Sequence, residues 1–173
     1  MKKGFTLVEL LVVVAILGIL AAVGIVSFGG FLGSAKENAV KTNHSNLVSY
    51  IKAELYKCEF GQTNIFINGD IKQDCYGIIS SASPARVVVV SASKALQSFA
   101  KNPYGVIRND YGNIAVRESC YPQGDIYLGY NCLDTSGEKV GVYSCFKLPC
   151  EEGGDWKTSP NILRTKINAK YWE

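Results

Sequence analysis

The sequence has little of what catalytic and metal-binding sites are usually built from. It contains one histidine, His44, and none of its six cysteines stands in a Cys-x-x-Cys pair. Zinc sites favour closely spaced Cys or Cys/His pairs, and a nucleophilic triad needs a well-placed histidine. A glycine-rich phosphate loop is also missing. We therefore expect a protein that is not an enzyme and that has no cofactor and no metal.

Charge of either sign is scarce as well. Lysine and arginine together number 18 against 15 aspartates and glutamates, and two of the lysines are Lys2 and Lys3. Without those two the rest of the chain is almost neutral. This composition gives no case for a strong nucleic-acid footprint.

What the chain does have is one long apolar run near its N-terminus. Leu10 to Val26 contains no polar side chain. As a helix, residues 5–33 would be about 44 Å long, which exceeds a hydrocarbon core of about 30 Å. In a secretory signal peptide the apolar run is shorter, and a small-x-small cleavage site comes after it. Here the small residues Ala21 and Ala22 lie inside the apolar run. Lys2 and Lys3 predict a single inner-membrane span with a cytoplasmic N-terminus.

Glu9 is the one acid near the start of this apolar run. A charged residue at mid-membrane costs about 2.5–3.5 kcal/mol on insertion scales, so an acid in a membrane span is a functional hypothesis by default. The alternative is that Glu9 lies among the lipid headgroups and costs little.

The residues around Glu9 decide between these views. The stretch Gly4-Phe5-Thr6-Leu7-Val8-Glu9, continued by Leu10 to Val26, resembles the processing site of bacterial type IV pilins and of type II secretion pseudopilins. The resemblance implies that prepilin peptidase cuts between Gly4 and Phe5 and that the new Phe5 amine is methylated. Glu9 then becomes the fifth mature residue. In a filament of parallel helices it would pair with the Phe5 amine of a neighbouring subunit, because opposite charges attract strongly where water is excluded.

One position departs from the family pattern. Type IV pilins often have a proline near the twenty-second mature residue, and Val26 stands there in this chain. Gly18 favours close helix packing. A bend at Gly29-Gly30 is an open alternative to a straight helix.

The resemblance implies an α+β fold in which a long N-terminal helix packs under an antiparallel sheet of about four strands. Residues 1–4 would be the cleaved leader, and residues 5–57 the helix. Residues 5–33 of this helix would be the transmembrane segment and the filament core. Residues 34–57 would be the spine of a globular head, which comprises residues 58–173. The spacing of four apolar residues places them on one face of that spine. They are Val40, Leu47, Ile51 and Leu55, whereas Lys36, Glu37, Lys41, Lys52 and Glu54 supply the polar remainder.

Within the head the pattern is less regular. Residues 58–82 read as a loop, and Ser83-Pro84 opens a second short helix, clearest over 93–101, although the β-branched run 87–90 favours a strand. Two hairpins are expected over 106–117 and 125–146. The turn that starts at Asp134 offers oxygen ligands, but without the twelve-residue calcium loop a plain turn is the better interpretation. The tail 148–173 is rich in turns.

All six cysteines follow the membrane segment, and an even number in an exported domain indicates disulfides. Neighbours in sequence are the expected partners, each pair closing a short segment that contains turn residues. The first pair would contribute about 3 kcal/mol by loop closure. The three predicted bridges are Cys58–Cys75, Cys120–Cys132 and Cys145–Cys150.

The leading functional hypothesis is a structural subunit of a type IV pilus. The resemblance implies a filament for adhesion, twitching motility or DNA uptake, a homo-polymer as the assembly, and the peptidase and pilus assembly machinery as partners. It implies residence in the inner membrane before assembly and in the extracellular pilus afterwards. A surface or DNA ligand stays unidentified. The alternatives are a pseudopilin of type II secretion, a minor pilin that binds at the tip, and a membrane-anchored enzyme, which no exported residue supports.

Overall fold

The first element of the fold is a long helix, α1 (Leu7–Glu59). The computed structural model describes residues 4, 6–96, 103, 114–117, 126–130, 138–147 and 158–170. It divides into two compact units, Met1–Lys36 and Glu37–Glu173. Helix α1 contributes to both units. Its end lies two residues beyond the predicted Lys57.

The first unit consists of the apolar part of α1. Its large apolar side chains, as far as the structure describes them, are exposed in a single copy of the chain, with exposed fractions between 48% for Val12 and 82% for Leu7. Among the described residues, α1 is the one helix long and apolar enough to cross a membrane. The helical assignment continues through Gly29 and Gly30, so the chain has no break at that pair.

In the second unit, α1 buries the face that the sequence predicts. Val40 is 2% exposed, and Leu47, Ile51 and Leu55 are fully buried. Their spacing of seven, four and four residues keeps them on one side of a helix with 3.6 residues per turn. The prediction of an amphipathic second half of α1 is confirmed.

The predicted loop over 58–82 is wrong in part, because it contains regular structure. Two short antiparallel strands, β1 (Asn64–Asn68) and β2 (Ile71–Asp74), form a hairpin, and helix α2 (Cys75–Ile79) follows directly. Gly69 makes the turn between the strands with a φ of 60°, in the left-handed region that glycine enters without steric cost. Asp74 caps α2, since its carboxylate accepts a hydrogen bond from the Gly77 N–H at 2.9 Å.

The second predicted helix is present as α3 (Pro84–Ala95), with its proline in the first helical turn. The valine run 87–90 is helical, not extended. Val88, Val89 and Ala92 are fully buried, whereas Arg86 and Lys94 are exposed. Burial of this apolar face outweighs the small helix penalty of β-branched residues. The predicted extension over 97–101 lies outside the described residues.

A second sheet has four strands within the described part of the chain. They are β3 (Ile114–Arg117), β4 (Ile126–Tyr130), β5 (Lys139–Cys145) and β6 (Ile162–Asn168), in the spatial order β3-β4-β5-β6. The antiparallel pairing of β4 with β5 agrees with the predicted second hairpin. Strand β3 instead pairs with β4 in parallel, and β6 lies in the tail that was expected to be rich in turns. The first arm of the other predicted hairpin, 106–108, lies outside the described residues.

One apolar cluster holds the second unit together. It joins the buried face of α1 to the hairpin, to both short helices and to the strands β5 and β6, so the α+β class is confirmed. Its fully buried members beyond α1 are Ile65, Phe66, Ile78, Ala85, Val88, Val89, Ala92, Val140, Val142 and Ala169.

Candidate functional site

The start of α1 carries a reciprocal cap between Thr6 and Glu9. The Glu9 carboxylate oxygen Oε2 accepts hydrogen bonds from the Thr6 N–H at 2.8 Å and from the Thr6 hydroxyl at 2.7 Å. The Glu9 N–H in turn donates to Thr6 Oγ1 at 3.4 Å. This is a capping box, in which a threonine and a glutamate three residues later satisfy N–H groups that the helix leaves unpaired.

The cap gives Glu9 a local role that we did not predict from the sequence. The pattern Thr-x-x-Glu before an apolar run would have indicated it. Both Thr6 and Glu9 are exposed in the single chain, so the carboxylate can accept further donors. Phe5, the residue whose amine is the expected partner, lies outside the described residues. Gly4 is exposed, and a side chain there would meet no atom within 4 Å.

The apolar part of α1 offers a surface that accepts close neighbours. Added Cβ atoms at Gly18, Gly24, Gly29 and Gly30 would meet nothing within 4 Å in the single chain. Glycine at these positions leaves the backbone open to approach by another helix, as small residues do in packed membrane helices. The single chain thus presents an exposed Glu9 carboxylate at the start of an uncovered apolar helix.

In the second unit, a disulfide joins the end of α1 to the start of α2. Cys58 and Cys75 are bonded, with their Cα atoms 5.7 Å apart, which is the first of the pairs that the sequence predicts. The bond closes a segment with a sequence separation of 17 residues. Cys145 is also disulfide-bonded, whereas Cys120, Cys132 and Cys150 lie outside the described residues. Of the three described cysteines none is free.

Comparisons with known proteins support the resemblance that the N-terminal residues indicate. The family model described as "Prokaryotic N-terminal methylation motif" matches residues 1–25. The chain is 29% identical over 119 residues to the "Type IV major alpha-pilin" of Moraxella bovis, across 68% of this chain and 73% of that relative. It is 54% identical over 42 residues to the "Type IV major pilin protein PilA" of Myxococcus xanthus. The resemblance to the type IV pilins is confirmed.

The two pilin relatives differ in how much of the chain they match. The Myxococcus match covers 24% of this chain and 19% of that relative, whereas the Moraxella match extends well into the head. No solved structure matches the chain at comparable significance.

Glu54 is a buried acid in the second unit, although the sequence places it in the polar remainder of α1. It is 6% exposed, and its Oε2 accepts a hydrogen bond from the Phe66 N–H at 2.8 Å. Lys57 forms an ion pair with the other carboxylate oxygen. Phe66 is fully buried and has a φ of 53°, which is uncommon for a residue with a side chain. Glu54 thus ties the irregular β1 strand to α1 and stabilises its backbone conformation.

His44 is a second polar group on the buried face of α1, and no structural role was predicted for it. Its Nδ1 lies 2.8 Å from Ser144 Oγ on β5, and its Nε2 lies 2.8 Å from Thr165 Oγ1 on β6. A neutral imidazole has one donor and one acceptor nitrogen, which two hydroxyl groups can satisfy. His44 therefore fixes the helix on two adjacent strands of the second unit. Burial lowers the pKa of His44 to about 4, since the charged form is desolvated.

The depressed pKa of His44 predicts a pH-dependent stability. The unfolded chain binds a proton near the ordinary histidine pKa of 6.5 and the folded chain only near about 4, so the free energy of unfolding falls as pH drops through this window. The loss would approach about 3 kcal/mol at the acid end. His44→Gln should flatten this dependence, as measured by urea unfolding at pH 7, 5.5 and 4.5. Identical pH slopes for the wild type and the variant would contradict the assignment.

Proposed function

We propose that this chain is a major structural subunit of a type IV pilus, polymerised with identical copies through α1. The observation that carries the proposal is the coincidence of three features at one end of the chain. The methylation motif matches residues 1–25, Glu9 lies five residues after Gly4, and the apolar part of α1 is uncovered in a single copy. The pilin relatives imply a membrane-anchored precursor and a pilus as the assembled form.

The proposed sequence of events begins in the inner membrane, with the N-terminus cytoplasmic. Prepilin peptidase cuts between Gly4 and Phe5, and the Phe5 amine is methylated. In the growing filament, Glu9 of one subunit pairs with the Phe5 amine of its neighbour. The pairing favours the correct stagger of parallel helices, because a buried charge without a partner is strongly destabilising. An uncleaved chain has an amide at Phe5 and cannot form the pair.

The head supplies no chemistry in this proposal. It coats the outside of the filament, and its disulfides support a modest core. Sheared surface filaments test the proposal directly. This chain should dominate their protein, and its intact mass should correspond to residues 5–173 with one methyl group. A chain that is scarce in filaments, or whose mature terminus lies within residues 21–33, would overturn it.

Gly4→Val should block processing. A Cβ at Gly4 meets no atom of the chain within 4 Å, so the substitution leaves the fold intact and acts on the peptidase, whose site is shaped for glycine. The precursor should then keep residues 1–4 and lack the methyl group by intact-mass analysis. Gly33→Val is the matched control, since Gly33 is equally uncrowded but distant in sequence from the cut. Normal processing of Gly4→Val would disprove the cleavage position.

A further inference from the structure

The pilin head exposes its large apolar side chains in one region. Outside the apolar part of α1, every such side chain among the described residues lies within residues 56–79, the segment that contains both Cys58 and Cys75. Phe60 is 83% exposed, Tyr76 73% and Ile67 63%. Exposed apolar side chains concentrated in this way mark an interaction surface more often than an inert one.

Acidic groups accompany these side chains. Glu59, Asp70 and Asp74 are exposed in the same segment. The segment also has two lysines, the exposed Lys72 and Lys57, which is paired with the buried Glu54. We call the exposed side chains of residues 56–79 the acidic surface. It combines apolar contact area with an excess of negative charge.

A groove along α3 has the opposite charge. It has a volume of about 580 Å³, and its lining includes Arg86, Lys94 and the half-buried Val87 and Val90, but no carboxylate. Arg86, Val90 and Lys94 follow one another at intervals of four residues, which places them on one side of the helix. We call this the basic groove. It too offers apolar contact area, but between two cationic side chains.

The two surfaces lie on different faces of strand β2. Gln73 belongs to the groove lining, where its Oε1 accepts a hydrogen bond from Ser91 Oγ at 2.8 Å. Its neighbours Lys72 and Asp74 are exposed, since successive side chains of a strand point to opposite faces. One subunit can therefore present its acidic surface to one neighbour and its basic groove to another.

We propose that the acidic surface of one subunit docks in the basic groove of the next subunit along the pilus. The occupant is a second copy of this chain, because each copy carries both complementary charges together with apolar area on each side. A head-to-tail contact between two different surfaces does not close into a two-fold dimer, and where its rotation does not close into a ring it generates an open filament. The inference rests on the proposed polymerisation and adds a specific contact between heads to it.

The test compares two substitutions with the same chemical change. Lys94→Glu places an acid in the groove opposite the neighbour's acids, so sheared filaments should fall by about tenfold, the effect of modest like-charge repulsion at an interface. Lys72→Glu makes the acidic surface more acidic and strengthens its attraction to the groove, so filament yield should be at least that of the wild type. Membrane-bound protein, the cleaved fraction and the Cys58–Cys75 bond are measured in every strain.

A charge exchange completes the test. Asp70→Lys alone should also reduce filaments, and the double variant Lys94→Glu/Asp70→Lys should recover them, since the attraction is restored with its sign reversed. Recovery also shows that the single variants fold. Equal yields from Lys94→Glu and Lys72→Glu, or a double variant no better than the single ones, would overturn the contact. If wild-type cells make no filaments of this chain, the proposed function itself fails instead.

Discussion

Replacing Glu9 by glutamine should nearly abolish filaments while leaving the protein cleaved and in the membrane. A glutamine keeps a side-chain oxygen for the Thr6 donors, and glutamine is accepted at this position of a capping box. The start of α1 is therefore preserved, and only the charge is lost. Each Phe5 ammonium would then enter the filament core without its counter-charge, a loss of about 3–5 kcal/mol for a broken buried pair. Membrane insertion should be unchanged or slightly better, since an acid in lipid is costly.

The matched control for this variant is Thr6→Val, which removes the hydroxyl of the cap but keeps Glu9 charged and the side chain β-branched. It should reduce filaments much less than Glu9→Gln, because the loss of a cap costs about 1 kcal/mol. Membrane-bound protein, the cleaved fraction and sheared filaments are measured together. Normal filaments from fully cleaved Glu9→Gln protein would rule out the charge pair and assign the acid to the processing step.

Loss of the Cys58–Cys75 bond should destabilise the head by about 3 kcal/mol, from the loop-closure entropy of a segment of this length. The double variant Cys58→Ala/Cys75→Ala avoids a stray thiol, and urea unfolding in detergent measures the loss. The bond fixes the end of α1 to α2, so filament yield should fall more than membrane insertion, which depends on the apolar part of α1.

A control at the end of α1 separates the effect of the disulfide from that of the neighbouring ion pair. Lys57→Gln removes the ion pair to Glu54 but keeps the bond and the hydrogen bond from the Phe66 N–H. Lys57 is half-exposed and Glu54 keeps the hydrogen bond from the Phe66 N–H, so this variant should lose less stability than the double cysteine variant. A double cysteine variant as stable as Lys57→Gln would show that Glu54 and the apolar cluster hold the segment without the bridge.

The sequence predicted those elements of the fold in which apolar residues recur at a regular spacing along the chain. Val40, Leu47, Ile51 and Leu55 recur at helical spacing and are buried. Their burial can be predicted from this spacing without knowing which elements cover them. The parallel pairing of β3 with β4 was missed, because a run of turn residues beside a strand favours a hairpin, whereas parallel pairing depends on a crossover. Strand β6 was missed because three of its central residues are only half-buried and show no alternation.

The polar contacts of the head were missed for a different reason. His44 and Glu54 follow the helical pattern of α1 but are polar, so the pattern alone assigns them to solvent. Their partners lie on β5, β6 and β1, up to 121 residues away along the chain. The capping role of Thr6 could have been predicted from the sequence, because the capping box is a local motif. The Gly4, Phe5 and Glu9 roles stay predictions from the family resemblance.

The uncovered apolar part of α1 has a consequence for how a subunit leaves the membrane. Lipid tails and the side chains of a neighbouring helix are equally apolar, so exchanging one for the other gains little hydrophobic free energy. Contact with water, in contrast, would cost about 25 cal/mol for every Å² of apolar surface. A subunit must therefore pass from bilayer to filament without an aqueous intermediate. In the proposed filament, the direction of that transfer comes from interactions that lipid cannot offer, namely close backbone packing at the glycines and the pairing of Glu9 with a neighbour's Phe5 amine.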